Sequence, residues 1–249
     1  MKRSPPRRFT VMAKTMLTPH MLRVTLGGEA MQSFPPDQAG AYIKLRLTGE
    51  DGGIVLRTYT VRAQRTDGID VDLVLHADGG PAAQWAIHAR PGDTIEIGGP
   101  GPRKRVDESA DWFLLAGDMT ALPAISDNLE HLPAHARGHA VIEVLSEAEI
   151  QPLDKPEGIK LHWVINEHPG ENSDVLPDAV RAIDWEDGRP AVWAACEFSA
   201  MRQLRQYFKT EREVAKSDLY VSSYWKLGLN EERHKTAKQE DAEESGAAA

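Results

Sequence analysis

One cysteine, Cys196, is all the thiol chemistry this 249-residue chain carries. A single cysteine excludes an intrachain disulfide and any multi-cysteine iron–sulfur or zinc centre, and it makes the cytoplasm the natural compartment. No apolar run approaches the roughly 18 residues needed to cross a bilayer, so no membrane partner is expected. The basic start, Met1 to Arg8, leads into no long apolar segment and reads as a flexible lead-in rather than a secretory signal. Also missing are Gly-x-Gly-x-x-Gly, the usual dinucleotide fingerprint, and Gly-x-Ser-x-Gly or another nucleophile-bearing motif. Positive charge is in deficit, with a formal net charge of -9, which argues against a nucleic-acid partner. His131, His135 and His139 lie four apart, but Pro133 and Gly138 interrupt the helix that would align them. No carboxylate completes a set there, so no metal centre is expected.

What is present has two rhythms. Before about residue 105, short runs rich in β-branched and apolar residues alternate with turns: Phe9 to Thr15, Met21 to Leu26, Ala41 to Leu47, Ile54 to Ala63, Ile69 to His76 and Thr94 to Ile97. Six such runs at short spacing predict an antiparallel β-barrel, with one helix over Pro81 to Ala89. After Asp111, strands near Trp112 to Ala116, His139 to Leu145, Lys160 to Ile165 and Ala191 to Ala195 alternate with helices through Leu132, over Leu176 to Ile183 and from Ser199. That alternation predicts a parallel α/β sheet. The basic, turn-rich connector Gly98 to Arg105 separates the halves. The end of the chain, from Lys238 through Ser245, is charged and lacks apolar periodicity, so it reads as disordered.

Chemistry concentrates in a few segments. Arg57-Thr58-Tyr59-Thr60-Val61-Arg62 supplies a cation, an aromatic face and hydroxyls within one strand. A guanidinium forks onto phosphate, a phenol stacks on a flat ring and a hydroxyl bonds its polar edge, a set that suits a flavin. Alternation puts Arg57 and Tyr59 on one face and Thr60 and Arg62 on the other, so one ligand reaching all of them lies across the strand's end or a bulge. The same letters also describe a half-buried strand with an exposed arginine. His76 to Trp85 joins a strand to a helix through Gly79-Gly80-Pro81, either an anion-holding helix start or an ordinary glycine-rich turn. Gly117-Asp118-Met119-Thr120-Ala121 leaves a strand at its carboxyl end, where ligands of open α/β sheets bind, and Cys196-Glu197 stands at a second such end.

In register, these segments resemble the siderophore-interacting protein family, flavin-dependent ferric-siderophore reductases of the ferredoxin–NADP reductase-like superfamily. Arg57 to Arg62, His76 through Gly80-Pro81-Ala82 to Trp85-Ala86, Pro91-Gly92-Asp93, Gly99-Pro100, Gly117 to Ile125, Trp193 to Arg205 and Tyr224 to Gly228 carry the likeness. It covers roughly residues 8 to 235. It implies a two-domain β plus α/β architecture: an FAD-binding barrel over 8–105, a nicotinamide-nucleotide domain over 110–235 and a disordered acidic tail over 236–249, with FAD where the domains meet. By that resemblance Arg57, Thr58, Tyr59, Thr60 and Arg62 hold the flavin. Gly80, Pro81, Ala82 and Ala83 meet its pyrophosphate, with His76 and Trp85 nearby. Gly117, Asp118, Thr120, Ala121, Cys196 and Glu197 receive NAD(P)H. The chain departs from the family pattern at Ala83, where serine is common, at Met119, often glutamate, and at Cys196, often glycine.

The implied reaction passes electrons from NAD(P)H, with a ferredoxin as the alternative donor, through FAD to a ferric siderophore. Hard oxygen donors hold ferric iron far better than ferrous iron, so one electron releases the metal for iron acquisition. No general base is needed, and Thr60 at the ring's reactive edge is the expected catalytic residue. Many ferric siderophores are anionic, so Lys44, Arg62, Arg65, Arg103, Lys104, Arg105 and Lys226 are candidate substrate cations, although each also suits a solvated surface. Donor clues conflict: Arg202 and Arg205 suit the extra phosphate of NADP, whereas Glu147 and Glu149 suit an unphosphorylated ribose. A monomer is expected. Two alternatives remain, a general NAD(P)H:flavin reductase and a non-catalytic siderophore carrier.

Overall fold

The computed structural model describes residues 5–49, 52–75, 79–229 and 231–244. The chain forms two compact units, each with its own sheet. The first takes the chain up to Arg105 together with two later excursions, Pro123–His131 and Glu147–Lys155; the second takes the remainder.

The first unit is an antiparallel sheet of β1 (Arg7–Thr18), β2 (Met21–Gly27), β3 (Tyr42–Thr48), β4 (Ile54–Thr60), β5 (Ala63–Gln64), β6 (Gly68–Val74) and β7 (Thr94–Gly98), in the order β4-β3-β7-β1-β2-β6-β5. The count is seven rather than six because the expected run Ile54 to Ala63 divides. After Thr60 the chain changes neighbours: the Val61 amide donates to the Ala41 carbonyl and the Arg62 amide to the Asp70 carbonyl. The two ends of the order are therefore consecutive strands two residues apart, and the sheet has to curl until they meet. Period-2 alternation fills the concave side with Phe9, Val11, Val24, Ile43, Leu45, Ile69, Val71 and Leu73, all buried. Helix α1 (Pro81–His88) lays Ala82 and Ala86 on that core, small side chains that let backbone approach sheet. It ends at Ala89, just before Arg90-Pro91, where a following proline disfavours helical backbone.

The second unit is a parallel sheet of β8 (Trp112–Gly117), β9 (Arg137–Val144), β10 (Gly158–Ile165), β11 (Pro190–Glu197) and β12 (Leu219–Trp225), ordered β10-β9-β8-β11-β12. The order reverses between β8 and β11, so the ligand crevice of such a sheet falls at their carboxyl ends. Helices α2 (Leu122–His131), α3 (Val175–Arg181) and α4 (Phe198–Gln206), the last running into a π-turn at Tyr207–Glu211, join the strands. The edge strand β12 escaped the sequence reading. So did α5 (Glu231–Glu244), which corrects the expectation of a disordered tail from residue 236. It has no apolar stripe to read because polar clasps hold it: Lys238 donates to Ser222 Oγ at 2.6 Å, and Asp241 binds Arg205.

Polar clasps also explain the two excursions into the first unit. Glu130 of α2 pairs with Arg62, and buried Asp127 takes Arg105 at 2.8 and 2.9 Å. Glu149, fully buried, accepts from the Thr18 hydroxyl and from the His20 amide at 3.2 Å, and its other oxygen lies 2.7 Å from His20 Nδ1.

Candidate functional site

The register of β4 against β3 runs unbroken from Tyr42↔Thr60 to Thr48↔Ile54, with no bulge. Arg57 therefore stands opposite Leu45, and Tyr59 opposite Ile43, both partners fully buried, so Arg57 and Tyr59 share the concave face. Tyr59 packs on the core that also holds Ala82 and Trp85. Thr58 and Thr60 turn the other way, beside Lys44 and Tyr42. A flat ligand touching both Tyr59 and Thr60 then has to lie across the carboxyl end of β4, where Val61 leaves the ladder.

Arg57 is half-buried, and its Nη1 donates to the neighbouring Leu56 carbonyl at 2.8 Å. No carboxylate pairs with it among the described residues. A cation half out of water without a counter-ion is a standing demand for an anion. On the same core, α1 opens after Gly80 with Pro81 and without a side-chain cap, which leaves the Ala82 and Ala83 amides to an outside acceptor. A Cβ at Gly80 would meet nothing within 4 Å, so space exists at that turn. A half-buried aromatic, an unpaired guanidinium and an uncapped helix start fit the ring and phosphates of a flavin nucleotide. His76 lies outside the described residues.

The candidate substrate cations are mostly spoken for. Arg62 binds Glu130, Arg65 forks onto Asp70 at 2.7 and 2.8 Å, Arg103 pairs with Asp37 at 3.0 Å and Arg105 with Asp127. Lys226 Nζ sits 4.2 Å from the centroid of the Phe198 ring. The Lys104 carbonyl accepts from Asn128 at 3.4 Å. Lys44 makes no ion pair among the described residues and shares the outward face of Thr58 and Thr60.

In the second unit, Ala195 pairs with Gly117, which sets the Gly117 to Ala121 segment beside Cys196-Glu197 at the switch in strand order. Asp118 is buried; it accepts from the Thr120 amide at 2.9 Å and from Trp225 Nε1 at 2.7 Å, and burial raises its carboxyl above the ordinary range. Glu197 caps α4 through the Ser199 amide and accepts from the Leu227 amide at 3.2 Å. Glu143 on β9 is pushed up to about 7, first by burial and then by the Asp118 and Glu197 charges, against an opposing bond from Asn166 at 3.0 Å. Burial and the same carboxylates lift the Cys196 thiol well above its usual value, which makes it an inert packing residue and no nucleophile. Of Gly117, Asp118, Thr120, Ala121, Cys196 and Glu197, Thr120 alone is not buried.

Of the donor clues, exposed Glu147 alone makes no side-chain bond among the described residues. Glu149 is consumed by Thr18 and His20, whereas Arg202 and Arg205 are held by Asp241. His131 and His139 have separate partners, Asp127 and His162. No group of three metal-ligating side chains occurs among the described residues. The sequence reading passed over Glu143 and Tyr42, and it gave Trp225 a place in the family likeness but no role. A glutamate inside the apolar strand Ala140 to Val144 was a legible signal. Tyr42 was not: its ring lies flat on Gly101, where a Cβ would come within 2.0 Å of Cζ.

The family described as siderophore-interacting protein matches residues 110–228, and the siderophore-interacting FAD-binding domain matches residues 10–55 and 49–104. Ferric vibriobactin reductase ViuB of Vibrio cholerae is 32% identical over 92% of both chains. The crystal structure of the siderophore-interacting protein SipS from Aeromonas hydrophila superposes with a TM-score of 0.86 at 31% identity, covering 96% of this chain and 98% of that one. Ferredoxin-NADP+ reductase from Plasmodium falciparum shares the fold, with a TM-score of 0.64 at 14% identity over 88% of this chain and 96% of that one.

Proposed function

This chain belongs to the siderophore-interacting protein family, and from that premise we propose that it is a flavin-dependent ferric-siderophore reductase acting in the cytoplasm. The observation that carries the flavin is Arg57, a half-buried cation without a carboxylate partner among the described residues, on the face shared by Tyr59 and the uncapped start of α1. FAD, when bound, supplies a two-electron acceptor that hands electrons on one at a time.

The chain's own residues do the positioning. Arg57 neutralises a phosphate, and the Ala82 and Ala83 amides donate hydrogen bonds to its oxygens. Tyr59 offers a ring face fixed by the core beneath it. The Thr60 hydroxyl, at the strand's end on the other face, hydrogen-bonds the ring's polar edge and is the residue closest to a catalytic role. In the second unit, the Gly117 to Thr120 segment and Glu197 receive the nicotinamide nucleotide, and a ferredoxin is the alternative donor. The substrate is a ferric siderophore held near Lys44.

The test is the visible spectrum of purified protein, followed by anaerobic mixing of the reduced protein with a ferric siderophore. A flavin spectrum that returns to the oxidised form on mixing supports the reading; a colourless protein that refuses FAD ends it. One observation favours a second reading, a general NAD(P)H:flavin reductase. With Arg62, Arg65, Arg103 and Arg105 all in ion pairs, little free positive charge remains to attract an anionic chelate. That reading gives loosely held flavin and no preference among ferric chelates.

A further inference from the structure

Asp118 follows β8 directly and meets a donor on each of its oxygens. Oδ1 accepts from the Thr120 amide at 2.9 Å and from the Thr120 hydroxyl at 2.5 Å, and Oδ2 accepts from Trp225 Nε1 at 2.7 Å. An amide and an indole can only donate, and a carboxylate can only accept. The hydroxyl hydrogen of Thr120 is therefore committed to Asp118. Its oxygen keeps lone pairs, and no hydrogen, for anything else.

Thr120 is the one residue from Gly117 to Ala121 that is not buried, and Asp118 is its side-chain partner. The pairing of Gly117 with Ala195 puts this segment at the switch in strand order, where such a sheet takes its ligand. A hydroxyl of that polarity accepts from an N–H or O–H and gives nothing to a phosphate or a carbonyl. The surrounding charge acts in the same direction. Burial first, and then the Asp118 and Glu197 charges, hold Glu143 against ionisation, so the local field is one that disfavours an anion. In a nicotinamide ring the matching group is the carboxamide, whose nitrogen donates and does not accept.

Trp225 fixes this arrangement from outside the turn. It stands on β12, with β11 between it and β8, and its indole reaches the carboxylate past that strand. A Cβ at Gly170 would come within 3.2 Å of Trp225 Cη2, so the ring is seated against backbone. The tie occupies Oδ2 and leaves Oδ1 to Thr120.

We propose that Thr120 is a specificity-determining residue for the electron donor: its oxygen accepts a hydrogen bond from the carboxamide N–H of the nicotinamide ring. Asp118 and Trp225 are the positioning residues that set the direction of its hydroxyl. The inference rests on the reading above that this unit binds a pyridine nucleotide.

The test uses 3-acetylpyridine analogues, in which a methyl group replaces the amide –NH2 and the carbonyl is kept. Calorimetry on the holoprotein near pH 8 compares NAD+ and NADP+ with their analogues, and Michaelis constants for the reduced forms run alongside. Thr120→Val, similar in shape and without an acceptor, should weaken the natural nucleotide about fivefold, the scale of one neutral hydrogen bond, and leave the analogue within about twofold. Thr120→Ser should keep the wild-type ratio. Trp225→Phe, which keeps a ring against Gly170 and drops the N–H, should move the ratio in the same direction as Thr120→Val, by about threefold. A merely structural role would shift nucleotide and analogue equally. If Thr120→Val moves both together, as a bond to a ribose hydroxyl would, or moves neither, the inference is overturned while the reductase reading stands. If wild-type protein binds none of these nucleotides and no reduced form reduces its flavin, the inference and the pyridine-nucleotide donor fall together.

Discussion

The two units handle the buried charge beside their candidate sites in opposite ways. In the first, arginines and carboxylates are matched: Arg23 with Asp72, Arg65 with Asp70, Arg105 with Asp127, Arg62 with Glu130. Arg57 makes no ion pair among the described residues, nor do Lys44 and Arg7, the latter donating to the Ser33 and Gly99 carbonyls. In the second, Asp118, Glu143 and Glu197 gather near the carboxyl ends of β8, β9 and β11 and accept hydrogen bonds from neutral donors: Trp225, Thr120, Asn166 and backbone amides. A half-buried cation without a carboxylate, beside an uncapped helix start, invites an anion. A region of crowded carboxylates repels one and holds a proton instead, which is what the raised Glu143 carboxyl expresses. On the proposed reading, phosphate belongs with Arg57 in the first unit, away from that carboxylate cluster.

The sharpest way to break this contrast is at Arg57. Arg57→Gln should cost FAD about 2–3 kcal/mol, a loss of roughly fifty-fold in retention, because a charged hydrogen-bond donor to phosphate disappears. The flavin-to-protein absorbance ratio after gel filtration reads it, and the unfolding midpoint should barely move because Arg57 makes no ion pair among the described residues. Full flavin content in this variant would mean that Arg57 is an ordinary strand arginine.

The carboxylate cluster carries the next largest effect. Glu143 has a folded value of about 7 against an ordinary value of 4.5, so the native state binds the proton more tightly than the unfolded chain does. Stability is accordingly full below pH 4.5 and falls as pH rises toward 7, by at most about 3 kcal/mol. Glu143→Gln should match wild type near pH 5 and exceed it at pH 8 in thermal unfolding. An unchanged difference across that range would mean that Glu143 stays ionised in the fold.

Glycine substitutions sharpen the comparison within the first unit. Gly101→Ala places a methyl group against the Tyr42 ring and should cost about 1–3 kcal/mol in denaturant unfolding. Gly80→Ala meets open space and should leave stability within about 0.5 kcal/mol. If both variants unfold alike, the pinned tyrosine is not a constraint. The smallest effect concerns substrate charge. Lys44→Ala should raise the Michaelis constant for a ferric siderophore about threefold with flavin content intact, and Arg103→Gln, already neutralised by Asp37, should change it less.

Local pattern made much of this legible in advance. Alternation along Arg57 to Thr60 assigned faces correctly, and Pro81 marked the start of α1, because both depend on neighbours within a few residues. The ion pairs were invisible for the opposite reason: Arg62 meets Glu130 across 68 positions, and Arg105 meets Asp127 across 22. No sequence rule says which of several arginines will find an acid. The split of the Ile54 to Ala63 run was hidden too, since its residues stay strand-like on both sides and only the partner strand changes.

By itself, the sequence determined the two rhythms, the β then α/β order and the residues offering flavin chemistry, since apolar periodicity and turn residues act over short range. Only the tertiary structure decided which charges are neutralised. It moved α2 and Glu147–Lys155 onto the first unit and folded the acidic end into α5 against Arg205. Charge pairing depends on distance in space, and distance in space is not written in any local window of residues.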